Sequence, residues 1–88
     1  MFHPGHHELH GVTVVVETPG ALTYVGRFDT EDEARVHLLD VGVHDAASGG
    51  SREEFVRRSA RYGVRADRKH LVVSRADVSR ITRLGEVE

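Results

Sequence analysis

Histidine is concentrated at the start of the chain, where four of the seven histidines fall within the first ten residues. These four are His3, His6, His7 and His10. The first and third, like the second and fourth, are four residues apart, so a helix would align each pair on one face. Neutral imidazoles at this spacing bind zinc, nickel or copper. Pro4 and Gly5 disfavour a helix here, so the pattern favours an N-terminal tail. A metal site, or a pH-sensitive role, remains an alternative.

Basic residues are concentrated in the second half of the chain. Residues 1–50 carry two basic and eight acidic residues, a net charge of -6, whereas residues 51–88 carry ten basic and six acidic residues, a net charge of +4. Three arginines share one stretch: Arg57, Arg58 and Arg61. Guanidinium groups match the geometry of phosphates, so nucleic acid is one candidate partner. A solvated face, or docking against the acidic residues 31–33, is the alternative.

Several classes of chemistry lack their residues in this sequence. The chain has no cysteine, which excludes disulfides, thiolate nucleophiles and iron–sulfur ligation. No catalytic serine motif, phosphate loop, dinucleotide fingerprint or paired-carboxylate spacing occurs. The longest apolar runs have only three residues, as at 14–16, far short of the about 18 residues that cross a bilayer. We therefore expect a cytoplasmic protein that is not an enzyme, binds no cofactor and does not contact the membrane.

The elements that position these residues follow from the hydrophobic pattern, and 88 residues predict one domain. Alternating apolar residues and turn signals predict five strands, over 11–17, 22–28, 35–44, 70–74 and 78–84. Gly26 interrupts the apolar face of the second strand, which predicts a bulge or sharp bend. The acidic residues 29–33 and residues 75–77 are predicted turns.

A helix is predicted between the third and fourth strands, over residues 52–62. Ser51 and Glu54 form a capping box, and Gly63 stands where a glycine ends a helix. The insert therefore spans 51–63 of a domain over 9–84, with tails over 1–8 and 85–88. The aromatic residues are expected to pack in the core rather than to stack on bases. They are Tyr24, Phe28, Phe55 and Tyr62.

The order of these elements resembles the Sm-like family of small β-barrels. Residues 9–16 (LHGVTVVV), 24–28 (YVGRF) and 36–40 (VHLLD) look like the first Sm motif, and 72–78 (VVSRADV) with Ile81 looks like the second. The resemblance implies an all-β, SH3-like open barrel of five strands with the helix inserted between strands three and four. It also implies a homo-oligomeric ring in which strand four of one subunit pairs with strand five of the next.

The resemblance further implies single-stranded RNA binding, although two motif residues differ. The base-binding Asn of the family is replaced by Arg35 or Val36, depending on a one-residue gap, and Ala76 replaces a glycine. The positions that could inherit the RNA contact are Arg35, His37 and Arg75. We therefore expect a non-catalytic ring-forming protein that binds RNA weakly through these residues and the helix arginines. The alternatives are a scaffold or protein-docking module without nucleic acid, and a protein whose histidine tail binds metal.

Overall fold

The computed structural model describes residues 9–87, which form five antiparallel strands and one helix. The strands are β1 (Thr13–Glu17), β2 (Leu22–Glu31), β3 (Arg35–Asp45), β4 (Arg68–Ser74) and β5 (Arg80–Arg83), and the helix is α1 (Arg52–Tyr62). Three single 3-10 turns follow β3, β4 and β5. The predicted mostly-β class, with one helix between the third and fourth strands, is confirmed. The predicted N-terminal tail lies outside the described residues.

All five strands belong to one open sheet in the order β4-β3-β2-β1-β5. The hairpin of β1 and β2 pairs Val15 with Val25, and β5 returns to the free side of β1, where Ile81 pairs with Val16. β4 pairs with β3, with Val73 opposite Val36. β4 and β5 are therefore the two edges of the sheet, although they are consecutive strands in the chain.

The inner face of the sheet carries the main hydrophobic core. Its buried members come from four strands: Val14, Val16, Phe28, Val36, Leu38, Val41 and Val73. Leu71 on β4 and Ile81 on β5 pack against this same cluster, although their strands lie at opposite edges. The sheet must curl over this face, because core residues such as Val14 and Leu38 are fully buried there although the helix packs against the opposite face.

The outer face is covered by α1 at one end only. Val15 and Val25 point to this face and are buried against Val56 of the helix and Leu84. Gly42 continues the same row, and a Cβ there would lie 2.9 Å from the carbonyl oxygen of Arg65. The chain that leaves α1 is thus pressed against β3. The other end of the outer face stays open.

The bend predicted at Gly26 is confirmed as an irregularity between β2 and β3. The register shifts between Val25 and Arg27, where two residues of β3 stand opposite Gly26. A Cβ on Gly26 would lie 2.9 Å from Cγ2 of Val41, so only glycine lets the two strands approach this closely. Asp40, in the bulged part of β3, has a φ of 50° and pairs with Arg27 at 2.9 Å.

Several predicted strand boundaries are wrong, and β1 begins at Thr13 rather than at residue 11. β2 continues to Glu31 instead of ending before the acidic residues, because a second register shift after Phe28 lets Thr30 and Glu31 pair with β3. β4 begins at Arg68 rather than at residue 70, since Arg68 pairs opposite Val41. β5 is only Arg80–Arg83, because residues 75–77 form a 3-10 turn and Leu84 begins another.

The helix boundaries agree with the prediction, but one of its aromatic residues does not. Ser51 Oγ accepts a hydrogen bond from the backbone N–H of Glu54 at 3.0 Å, and Gly63 ends the helix with a φ of 92°. Val56 and Ser59 form the buried side of the helix. Tyr62 is 76% exposed, so its predicted place in the core is wrong.

Candidate nucleic-acid interface

Arg35 and Arg75 lie together at one end of the sheet. Arg35 begins β3 opposite Ser74, the last residue of β4, and the backbone N–H of Arg75 donates to the carbonyl oxygen of Ala34 at 2.9 Å. The turn between β2 and β3 is thereby joined to the turn after β4. The guanidinium of Arg75 forms an ion pair with Glu31 at the end of β2, which holds the arginine against the sheet.

Asp32 fixes the turn that presents Arg35. Its Oδ1 accepts hydrogen bonds from the backbone N–H groups of Ala34 and Arg35, each at 2.8 Å, and its own N–H donates to the carbonyl oxygen of Arg35 at 2.9 Å. The N–H of Ala34, and next that of Arg35, lower the pKa of Asp32 because both bonds favour the charged carboxylate. These hydrogen bonds fix the geometry of the turn from which Arg35 begins β3.

His37 forms a stacked pair with His70 on the adjacent strand. The two ring centroids are 5.6 Å apart with 15° between the planes, and His37 Nδ1 lies 3.4 Å from His70 Nε2. His37 stands opposite Val72 on β4 and Thr30 on β2, and it shares the outer face with Arg35 two residues earlier. This open end of the outer face therefore combines a cation, two imidazoles and an exposed valine.

The helix arginines form a second group, separate from the first. Arg57, Arg58 and Arg61 are all exposed on α1. Arg58 lies 3.8 Å from Glu54 one turn earlier, and both side chains are more than 60% exposed, so this pair holds Arg58 only weakly. The sequence-predicted residues thus fall at two places: the sheet end with Arg35, His37 and Arg75, and the helix.

The outer side of β4 extends the sheet-end group as far as His70. His70 stands opposite Leu39, and Val72 stands opposite His37. Residues that stand directly opposite each other on paired strands share a face, so His70 and Val72 lie on the outer face. Arg68 starts β4 opposite Val41, which belongs to the inner core. The strand pairing therefore does not connect the sheet-end group to the helix arginines.

Arg52, in the basic second half of the chain, has a structural role rather than an exposed one. Its guanidinium donates to Thr23 Oγ1 at 2.6 Å, to Glu17 Oε1 at 3.2 Å, and to the carbonyl oxygens of Thr18 and Gly20 at 3.2 and 3.1 Å. It ties the start of α1 to the β1–β2 hairpin and is occupied within the chain. Arg52 is the first residue of α1, where a cation is unfavourable because it opposes the helix dipole. Its unfavourable position is the signal in the sequence that Arg52 bonds to another part of the chain.

The predicted histidine site falls mostly on residues 1–8, so His3, His6 and His7 lie outside the described residues. His10 Nδ1 contacts the carbonyl oxygen of Asp29. Within residues 9–87, no three histidine, cysteine or acidic side chains are grouped so that they could hold a metal ion.

No protein-family model and no curated protein matches this sequence. In the part of the chain described here, no helix is both long enough and apolar enough to cross a membrane.

Proposed function

We propose that the chain is a non-catalytic Sm-like protein that associates edge to edge into a closed ring and binds single-stranded RNA weakly through its arginines. The observation that carries the association is the strand order, which leaves β4 and β5 as opposite edges of one curled sheet. An edge strand presents unpaired backbone N–H and C=O groups, which another strand can satisfy. Two different edges on one chain suit a head-to-tail contact, which closes into a ring when the rotation permits.

The side chains on both edges support this association. Val72 on β4 is 42% exposed, and Leu71 on β4 and Ile81 on β5 are only partly buried although they pack against the core. Pairing with a second subunit would remove this apolar surface from water. Such burial stabilises the assembly by roughly 25 cal/mol for each square ångström. A domain of 88 residues has a small core and gains stability from such burial.

The lack of cysteine permits a direct test of the head-to-tail contact. We expect a chain with Val72→Cys on β4 and Arg80→Cys on β5 to form a ladder of covalent multimers with a short thiol-specific cross-linker. Each single-cysteine variant should give no covalently cross-linked product under the same treatment, because neither edge strand contacts the same edge strand of another subunit. Dimers from Val72→Cys alone would indicate a symmetric β4–β4 contact and would contradict the ring.

The RNA part of the proposal rests on the position of the basic residues. Arg35 at the sheet end and Arg57 and Arg61 on α1 are exposed, and none of them forms an ion pair with another residue of 9–87. Arginines suit the phosphate backbone, which supplies affinity without sequence preference. Because the base-specifying Asn of the Sm motif is absent, we expect weak binding with little discrimination between sequences.

A titration with mixed-sequence single-stranded RNA at low salt tests this part. The affinity should fall with salt along a log–log slope of about -0.7 for each phosphate neutralised. Replacing Arg57 and Arg58 together by alanine should flatten the slope without changing base preference. Replacing Arg75 should lower the affinity for one base more than for another. Absence of binding at about 50 mM salt would exclude the RNA function.

A second candidate is a protein-docking module without a nucleic-acid role. Three of the arginine–carboxylate pairs within residues 9–87 are hydrogen-bonded: Arg27 with Asp40, Arg52 with Glu17 and Arg75 with Glu31. These pairs reduce the charge available to phosphates. The open edges would then accept a strand of another protein by β-augmentation. A monomeric chain that binds no RNA would favour this candidate.

A further inference from the structure

Tyr62 is a large aromatic side chain that the fold leaves in solvent. It is the last residue of α1 and is 76% exposed. Arg61 Cζ lies 5.9 Å from the centroid of its ring, within the range of a cation–π contact. Tyr62 does not contribute to the core beneath the helix, which is formed by Val56 and its neighbours. Its ring is therefore available to a ligand.

The surroundings of this ring are cationic. Between residues 55 and 66 the chain carries four arginines and no acidic residue. They are Arg57, Arg58, Arg61 and Arg65. The two acids of the helix, Glu53 and Glu54, lie in its first turn, at the opposite end from Tyr62. An exposed aromatic ring within a positive surface suits a ligand that has both negative charge and flat apolar faces.

We propose that Tyr62 stacks against a base of single-stranded nucleic acid whose phosphates lie on the neighbouring arginines. This inference rests on the RNA binding proposed above and adds the residue that contacts a base. The guanidinium of Arg61 would lie on one side of the ring and the base on the other. Single strands are favoured because their bases expose π faces that a duplex keeps stacked. Any base can stack in this way, so the contact adds affinity without sequence preference.

Two probes separate stacking from charge: a short oligoadenylate RNA and a strand of equal length and charge that lacks bases. We expect Tyr62→Ala to weaken binding of oligoadenylate by about 5- to 100-fold and to leave binding of the base-free strand unchanged. Tyr62→Phe, which keeps the ring, should bind oligoadenylate like the unmodified chain. The double variant Arg57→Ala with Arg58→Ala should weaken binding of both probes. Circular dichroism would confirm that each variant is folded.

The outcomes distinguish this inference from the function on which it rests. If Tyr62→Ala binds oligoadenylate as tightly as the unmodified chain while the arginine variant loses both probes, the stacking role is overturned and RNA binding stands. An equal loss on both probes would also overturn stacking, because the ring would then act only on the backbone. If the unmodified chain binds neither probe, RNA binding fails and this inference fails with it. An acidic peptide that binds as tightly as oligoadenylate, whatever residue stands at 62, would overturn it in favour of a protein partner.

Discussion

At the scale of single residues, the arginines of this chain divide into structural and available groups. Arg52 makes four hydrogen bonds to the β1–β2 hairpin. Arg57, a turn and a half further along α1, is exposed. A count of basic residues treats the two alike, but only the second can meet a ligand without disturbing the fold.

Arg52→Ala should therefore destabilise the protein by about 1–3 kcal/mol, mainly through the lost bonds to Thr23 and two carbonyl oxygens. The Glu17 pair is partly exposed and contributes little. Arg52→Lys should not restore stability, because the three N–H donors of an ammonium all lie on one nitrogen and do not span the separated acceptors that the wider guanidinium reaches. Urea unfolding measures the change, with Arg57→Ala as the matched control at less than about 0.5 kcal/mol. Equal effects at the two positions would contradict a structural role for Arg52.

The contribution of Asp32 to stability should depend on pH. Its pKa is lowered from an ordinary value of 3.8, so its charged form stabilises the folded state above that value. This stabilisation is lost as the pH falls through the lowered pKa. Asp32→Asn should be less stable than the unmodified chain near neutral pH, and the difference should shrink as the pH falls below 3.8. Unfolding curves over a pH series test this, and a difference that does not change with pH would contradict it.

At the scale of elements, the close contact of β2 with β3 depends on a missing side chain. Gly26→Ala would place a Cβ 2.9 Å from Val41 Cγ2 and 3.1 Å from the carbonyl oxygen of Leu39. The strands must then separate, and we expect a loss of about 1–3 kcal/mol in thermal or chemical unfolding. Gly20→Ala is the control, because a Cβ there meets nothing within 4 Å. If Gly26→Ala is no more harmful than this control, the tight approach at the bulge is not real.

A charge on an edge strand should weaken self-association more than a charge on an inner strand. Val72 on β4 and Leu22 on β2 are similarly exposed, at 42% and 38%, but only Val72 lies on an edge strand. Val72→Lys should weaken self-association about tenfold or more, because a charged residue on an edge strand discourages pairing. Leu22→Lys should leave the association constant almost unchanged. Sedimentation velocity compares the two, and equal weakening would indicate general hydrophobic contact instead of edge pairing.

The sequence predicts local elements better than the contacts between them. The ends of α1 agree with the prediction because local residues, Ser51 and Gly63, specify them. The extension of β2 to Glu31 depends on a second register shift, which the polar residues 29–31 do not signal. The resemblance names Arg35 and Arg75 only as separate candidate positions, and their proximity depends on the pairing of β3 with β4. The Glu31 partner of Arg75 does not follow from the resemblance either, because Glu31 was expected in a turn.

At the scale of the whole molecule, one curled sheet has two open edges, and a helix covers only one end of its outer face. The basic residues of the second half of the chain include the exposed arginines of that helix and Arg75 at the sheet end. A ring would repeat these basic residues once in every subunit. Several weak phosphate contacts on one strand of RNA would then act together, which raises the overall affinity without new contacts.

Native mass spectrometry of the unmodified chain at tens of micromolar shows whether the subunits associate edge to edge into a closed ring. We expect one predominant assembly, a fixed whole-number multiple of the 9.8 kDa chain, which keeps its size when the protein concentration is raised several-fold. A closed ring has no free edge and stops growing, whereas an open array lengthens with concentration. A monomer under these conditions, or a series of masses that lengthens with concentration, would contradict the ring.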